Sequence, residues 1–262
     1  MLELKDLHKT FNPGTVNAKT ALDGLSLTLR DGEFVTVIGG NGAGKSTMLN
    51  AAGTLSVDSG EVHLDGVDVT DLPEYKRAAY IGRVFQDPMM GTAPSMHIEE
   101  NLALAARRGQ KQGLRWGITK AERERYRALL GDLGLGLETR LSSEVSTLSG
   151  GQRQALTLLM ATLKSPKLLL DEHTAALDPK TAAKVMALTD RIITREKLTT
   201  LMITHNMRDA IQYGSRLVML HEGRVILDIS GEEKENLTVS DLLAQFARVS
   251  GDEFASDRAL LS

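Results

Sequence analysis

Phe34-Val35-Thr36-Val37-Ile38-Gly39-Gly40-Asn41-Gly42-Ala43-Gly44-Lys45-Ser46-Thr47 is the stretch on which the fold turns. Its first five residues read as a β-branched strand that runs straight into glycines, and Gly44 to Ala52 reads as a helix that stops at Gly53. The spacing satisfies G-x-x-x-x-G-K-[ST] between a strand and a helix, the setting in which that pattern has chemical meaning. Gly39, Asn41, Gly42, Ala43 and Gly44 let backbone N–H groups converge on phosphate oxygens, helped by the positive end of the helix. Lys45 is suited to the β and γ phosphates, Ser46 to Mg²⁺, and Thr47 to a further phosphate contact. The loop alone does not separate ATPases from GTPases or kinases, and an empty glycine-rich turn is the alternative reading.

Outward from this loop, the chain before it reads as two strands, Leu2 to Lys9 and Ala21 to Leu29. The second alternates Leu25, Leu27 and Leu29 with Ser26, Thr28 and Arg30, as an antiparallel strand does. Beyond it, Lys167 to Leu170, Pro179 to Lys197, Thr199 to Thr204, Arg208 to Tyr213 and Arg216 to Leu220 alternate strand and helix, which predicts a parallel sheet. Asp178 and Pro179 suit the cap and first turn of the long helix. Ala182, Val185, Met186, Ile192 and Ile193 form its apolar face. The intervening segment is mostly helical, including Lys120 to Leu133 and an apolar helix after Gln152.

The expected fold is therefore α/β: a P-loop NTPase core with a parallel sheet, an N-terminal antiparallel β subdomain and an inserted helical subdomain. We expect one interrupted domain over 1–235, with the core at 1–88 and 165–235 and the helical subdomain at 89–164. A short tail, 236–262, is expected to close with a surface helix.

Composition narrows the function classes. Apolar residues are 42% and charged residues 25% of the 262, as in a soluble globular protein. The 31 basic and 34 acidic residues leave −3, so no general attraction for nucleic acid is expected. The chain has no cysteine, which excludes disulfides, thiolate catalysis and Cys-ligated zinc and fits a reducing compartment. The charged N-terminus does not read as a signal peptide. Ala155 to Leu163 is much shorter than the roughly 20 apolar residues that cross a bilayer, so any membrane role must come through a partner.

A P-loop enzyme also needs a carboxylate for the metal and a group to orient or deprotonate water. Leu168-Leu169-Leu170-Asp171-Glu172 supplies both: Asp171 at a strand's carboxyl end for Mg²⁺, Glu172 for the nucleophile. Two surface acids after a core strand is the plainer reading.

Leu148-Ser149-Gly150-Gly151-Gln152 resembles the signature motif of ATP-binding cassette proteins. Ser149 and the glycines present a hydroxyl and bare N–H groups at a helix start, although Ser149 also serves simply as an N-cap. Gln86, in Val84-Phe85-Gln86-Asp87-Pro88, resembles the family's glutamine that touches metal and nucleophilic water. His205 resembles the histidine at the γ-phosphate, and Phe11 the aromatic that stacks on adenine. Ala176-Leu177-Asp178 resembles the loop that communicates between sites. The resemblance runs from about Leu2 to Ile229.

The resemblance implies ATP and Mg²⁺ as ligands, and hydrolysis by a dimer, which we read as a homodimer, in which Ser149 to Gln152 of one subunit complete the Gly39 loop of the second. Catalytic roles fall to Glu172, His205, Gln86 and Lys45, and metal ligation to Ser46, Gln86 and Asp171. It further implies an integral-membrane permease, a place on the inner face of the cell membrane, and an importer with a solute-binding protein upstream. Gly82 to Pro94 and Asp171 to Thr174 look most like ATPases of amino-acid importers of the tryptophan/tyrosine type. A soluble cassette ATPase in DNA maintenance or translation and a P-loop kinase stay open as alternatives. The sequence departs from the family at His173, commonly proline, and at Ala175, often serine. We read His173 as tuning the loop beside Glu172 without acting as a base, against a passive substitution. The basic run Arg107 to Trp116 reads as a solvated surface, with a permease or lipid contact as the sharper alternative.

Overall fold

In the computed structural model, residues 1–110, 117–165 and 167–250 are described. The opening strand β1 (Leu2–Phe11) buries Leu2, Leu4 and Leu7 and pairs antiparallel with β2 (Lys19–Leu29). Leu25, Leu27 and Leu29 point inward at every second position, as the alternation predicts. The register runs from Leu2 opposite Leu29 to Phe11 opposite Lys19, with bulges between. Strand β3 (Phe34–Gly39) is buried along its whole length, which explains why it reads as a continuous apolar run rather than an alternating one. Helix α1 (Lys45–Gly53) follows the glycine loop. Strands β4 (Ser59–Leu64) and β5 (Val67–Asp68) extend the antiparallel sheet to the order β2-β1-β4-β5, and α2 (Glu74–Arg77) closes this segment.

The chain divides into two compact units: Met1–Arg77 with the chain from Lys197 onward, and Ala78–Glu196. In the second unit, β6 (Ile81–Val84) lies parallel to β7 (Lys167–Asp171), with Ile81 opposite Lys167 and Val84 opposite Leu170. Between them come α3 (Ile98–Ala106), α4 (Lys120–Leu133) and α5 (Gly150–Thr162), and α6 (Pro179–Glu196) follows β7. Thr119 and Glu122 form a capping box at the start of α4, and Gly134, in the left-handed region, ends it. Helix α6 buries Val185, Met186, Ile192 and Ile193, the face read from the sequence. At its start the Asp178 carboxylate accepts from Thr181 N at 3.1 Å.

The chain then returns to the first unit through β8 (Thr199–Ile203), α7 (Met207–Gln212), β9 (Arg216–His221) and β10 (Arg224–Ser230). Strand β3 lies between β8 and β9, parallel to both. Strand β10 pairs antiparallel with β9, so this sheet is mixed rather than wholly parallel. After α8 (Glu232–Glu235), α9 (Val239–Ser250) does more than lie on the surface. Its Leu242 and Phe246 are buried in a cluster with Ile38, Met207, Ala210, Leu217, Met219 and Ile229. Each such side chain contributes about 1.5–3 kcal/mol by burial. Residues 251–262 of the expected tail lie outside the described residues.

Candidate functional site

Strand β3 delivers the glycine loop to the carboxyl edge of its sheet, where α/β folds place ligands. Gly39 has φ 152°, and a Cβ there would lie 2.4 Å from Leu220 O. Gly44, at φ 98°, would drive a Cβ to 2.4 Å from Ala21 O. Only glycine lets the loop pass between these carbonyls and turn into α1. No side chain caps α1 at Gly44 and no acid stands in its first turn, so the positive end of the helix is left for an external anion. Lys45 Nζ donates to Gly39 O at 2.6 Å and Gly40 O at 2.9 Å, folding the ammonium back over the loop. Asn41, Gly42 and Ser46 are exposed, Lys45 and Thr47 are half-buried, and Ala43 packs inward.

Two further expected residues belong to the same unit. His205 leaves the end of β8, the parallel neighbour of β3 in which Ile203 lies opposite Val37, so it emerges on the same sheet edge as the Gly39 loop. Asn206 then caps α7 by accepting from Arg208 N and Asp209 N at 2.9 and 3.2 Å. Burial raises the pKa of the Asp209 carboxyl, and nearby His205 opposes that shift. Phe11, at the end of β1, is 39% exposed, with the Lys9 ammonium 5.9 Å from its ring centroid.

The second unit carries the remaining residues. The pairing of Val84 with Leu170 brings Gln86, exposed, and Asp171 and Glu172, half-buried, to the same carboxyl edge of β6 and β7. Arg83 Nη2 donates to Asp171 Oδ2 at 3.3 Å. Glu172 takes φ 44°, a left-handed conformation uncommon for a side-chain-bearing residue, and its carbonyl accepts from Ala175 N at 2.9 Å. The loop carrying Gln86 is held from α5, where the buried Gln154 Nε2 donates to Phe85 O at 3.4 Å.

Ser149 caps α5 reciprocally: its Oγ accepts from Gln152 N at 3.3 Å, and Gln152 Oε1 accepts from Ser149 N at 3.2 Å. Ser149 and Gly150 are exposed. Gly151 is buried, with room for no larger side chain, because a Cβ would meet Thr181 Cγ2 at 2.3 Å.

His173 is 2% exposed, and its Nε2 lies 3.1 Å from Thr189 Oγ1. The Thr189 hydroxyl donates to Val185 O at 2.8 Å, so the imidazole donates and Thr189 accepts. Burial pulls the His173 pKa down to about 4, leaving the ring neutral at ordinary pH. A neutral ring whose Nε2 proton is committed inward suits a structural tie better than proton transfer.

The basic run turns inward where it is described. Arg107 Nη2 donates to Glu122 Oε1 at 3.0 Å, and Arg108 Nη2 to Ala161 O at 3.1 Å and Ser165 Oγ at 3.3 Å. Residues 111–116 of that run lie outside the described residues. Sequence reading missed Arg83 and Gln154. A charged residue at strand spacing before Phe85, and an amide inside an apolar helix, were the available signals.

A glycine loop between a buried strand and an uncapped helix, on the carboxyl edge of its sheet, defines a P-loop nucleotide-binding protein. Residues 22–175 match the ABC transporter family model. The chain is 49% identical over 248 residues to the tyrosine transport ATP-binding protein of Clostridioides difficile (strain R20291), covering 94% of this chain and 98% of that one. It is 33% identical to the spermidine/putrescine import ATP-binding protein PotA of Haemophilus influenzae (strain ATCC 51907 / DSM 11121 / KW20 / Rd), covering 89% of this chain and 59% of PotA. Among solved structures, the dimeric post-hydrolysis state of the ATP-binding cassette MJ0796 bound to ADP and Pi superposes with TM-score 0.74 at 31% identity, covering 88% of this chain and 98% of that one. The chain belongs to the ABC transporter family and is an ATPase of that family, binding ATP and coupling its hydrolysis to transport. No helix of the described residues is long and apolar enough to cross a membrane.

Proposed function

We propose that this chain is the ATPase subunit of an importer of a small solute, an amino acid of the tryptophan/tyrosine type. The observation that carries the reading is the 49% identity to a tyrosine transport ATP-binding protein along 98% of that relative. The chain acts as a homodimer beside an integral-membrane permease at the inner face of the membrane, with a solute-binding protein delivering the cargo. The helical segment 89–164 transmits movement to the permease.

In the chemistry, the Gly39 to Gly44 amides and Lys45 hold the β and γ phosphates, Thr47 adds a phosphate contact, and Phe11 stacks on adenine. Glu172 accepts a proton from water as the water oxygen bonds to the γ-phosphorus, and the bond from that phosphorus to the β–γ bridging oxygen breaks. Gln86 orients that water, and His205 donates toward the γ-phosphate. The Ser149 hydroxyl and the Gly150, Gly151 and Gln152 amides of the second copy bind the γ-phosphate from the opposite side. The exposed Ser46 hydroxyl, the Gln86 amide and the Asp171 carboxylate are all hard oxygen donors, the set that fits Mg²⁺. When bound, Mg²⁺ neutralises charge on the phosphate oxygens.

The test is to express Glu172→Gln with candidate permeases, add ATP and Mg²⁺, and identify what co-purifies. Hydrolysis falls by about 10²–10⁴-fold, the usual contribution of a general base, while a permease of amino-acid type is retained. Normal turnover in the variant refutes the assignment of Glu172. Retention of a soluble partner alone refutes the transport reading.

A further inference from the structure

The antiparallel register sets Phe11 directly opposite Lys19, the first residue of β2. Lys19 reaches from there to the phosphate loop: a Cβ built on Gly42 would stand 2.9 Å from Lys19 Nζ and 3.8 Å from its Cε. One lysine thus joins the aromatic that we assign to the base with the loop that we assign to the phosphates. Its side chain is exposed, and among the described residues its ammonium has no ion-pair partner. Lys45, by contrast, already donates to two carbonyls of the loop. An unpaired ammonium above a loop of converging N–H groups, with no carboxylate in the first turn of α1, adds a second mobile cation to an anion site.

We infer that Lys19 is a nucleotide-binding residue whose ammonium pairs with the phosphate chain of bound ATP or ADP. This rests on the nucleotide-site reading above and adds to it a contact that the glycine-loop pattern does not contain. Lysine suits the task because its ammonium is a compact charge on a flexible stem and can follow a phosphate without a fixed fork geometry. Gly42 is part of the same device. Any side chain there would occupy the space through which Lys19 approaches, so the residue keeps open a cation's path besides permitting the loop's turn.

An exposed cation paired with phosphate is screened by salt, so Lys19 makes part of the affinity ionic-strength dependent. The experiment compares ATP and ADP binding by calorimetry for the parent chain, Lys19→Met, Lys19→Arg and Lys19→Glu, each at low and high potassium chloride, with Lys45→Ala as reference. Lys19→Met weakens both nucleotides by about fivefold to tenfold at low salt, the scale of one charged hydrogen bond in a solvated site. The deficit shrinks at high salt, Lys19→Arg binds within about twofold of the parent, and Lys19→Glu binds more weakly than Lys19→Met.

If Lys19→Met and Lys19→Glu bind both nucleotides like the parent while Lys45→Ala loses them, the inference is overturned and the nucleotide site stands. If Lys45→Ala also binds normally, the site reading itself fails. Should Lys19→Met lose binding together with unliganded thermal stability, Lys19→Arg decides. Recovered stability without recovered affinity overturns the inference, because the loss then came from the hairpin fold.

Discussion

Arg77 is 2% exposed, and among the described residues its guanidinium donates to backbone carbonyls. Nε donates to Leu72 O at 2.9 Å, Nη1 to Ala51 O at 2.8 Å, and Nη2 to Thr70 O, with a longer Nη1 contact to Leu55 O. Ala51 stands in the last turn of α1, which has no basic residue of its own there, so Arg77 is the cation at the negative end of the phosphate-loop helix. Arg77→Met keeps much of the apolar stem and removes the fork. Three carbonyls lose a charged donor, at about 1.5–3 kcal/mol each before compensation. The variant regains the cost of desolvating the guanidinium, a cost visible in the downward pull of burial on the Arg77 pKa. We therefore expect a net loss of about 2–4 kcal/mol, within the range for breaking a buried hydrogen-bond network. Urea unfolding at neutral pH measures it as a lower midpoint with an unchanged slope. Arg77→Lys, with one ammonium for three separated acceptors, falls between. An Arg77→Met midpoint equal to the parent's, with the slope preserved, refutes the reasoning and demotes Arg77 to a bystander.

Thr189→Val removes the acceptor of the buried His173 Nε2–H at nearly constant volume and costs about 1–3 kcal/mol, while Thr189→Ser costs less, both read by urea unfolding. If valine is tolerated without loss, the His173–Thr189 tie has no energetic weight. Lys234, buried beneath the carbonyls of Tyr213 and Gly214, has its pKa lowered from 10.5 to about 8 by burial. The unfolded chain then binds more protons than the folded one across that window, so this residue makes stability rise as pH climbs from about 8 toward 10.5. The carbonyls favour the charged form and hold the rise below about 3 kcal/mol. Lys234→Met lacks that rise in unfolding midpoints compared across the window, and an identical pH profile in parent and variant excludes the effect.

Much of the fold was legible because its signals are local. Leu25, Leu27 and Leu29 alternate on one strand face, Phe34 to Ile38 run apolar into glycines, and Asp178-Pro179 announces the start of α6. Helix α4 has the sequence-read bounds Lys120–Leu133 because Thr119 and Gly134 bracket it in the chain itself. What escaped notice depends on distant partners. Strand β6 is four residues long and includes Gly82 and Arg83, which no propensity favours in a strand. Gly82 is tolerated because α5 packs so closely that a Cβ would lie 2.1 Å from Ala161 O. Strand β10 and the buried face of α9 take their places from β9 and from the cluster around Ile38, not from their own patterns. Arg108 looked like a surface charge because its acceptors on Ala161 and Ser165 are far along the chain. Lys19 was anonymous for the same reason, since only the hairpin register shows what it faces.

The capping box at Ser149 separates two kinds of selection. Its oxygen accepts the Gln152 N–H, which leaves the hydroxyl proton over. Aspartate or asparagine caps a helix as well as serine does, so a screen that scores only heat tolerance reads position 149 as freely exchangeable among them. Aspartate, however, has no proton to give at neutral pH, and it brings a negative charge. A map of tolerated substitutions drawn from folding alone would therefore miss what the serine keeps in reserve.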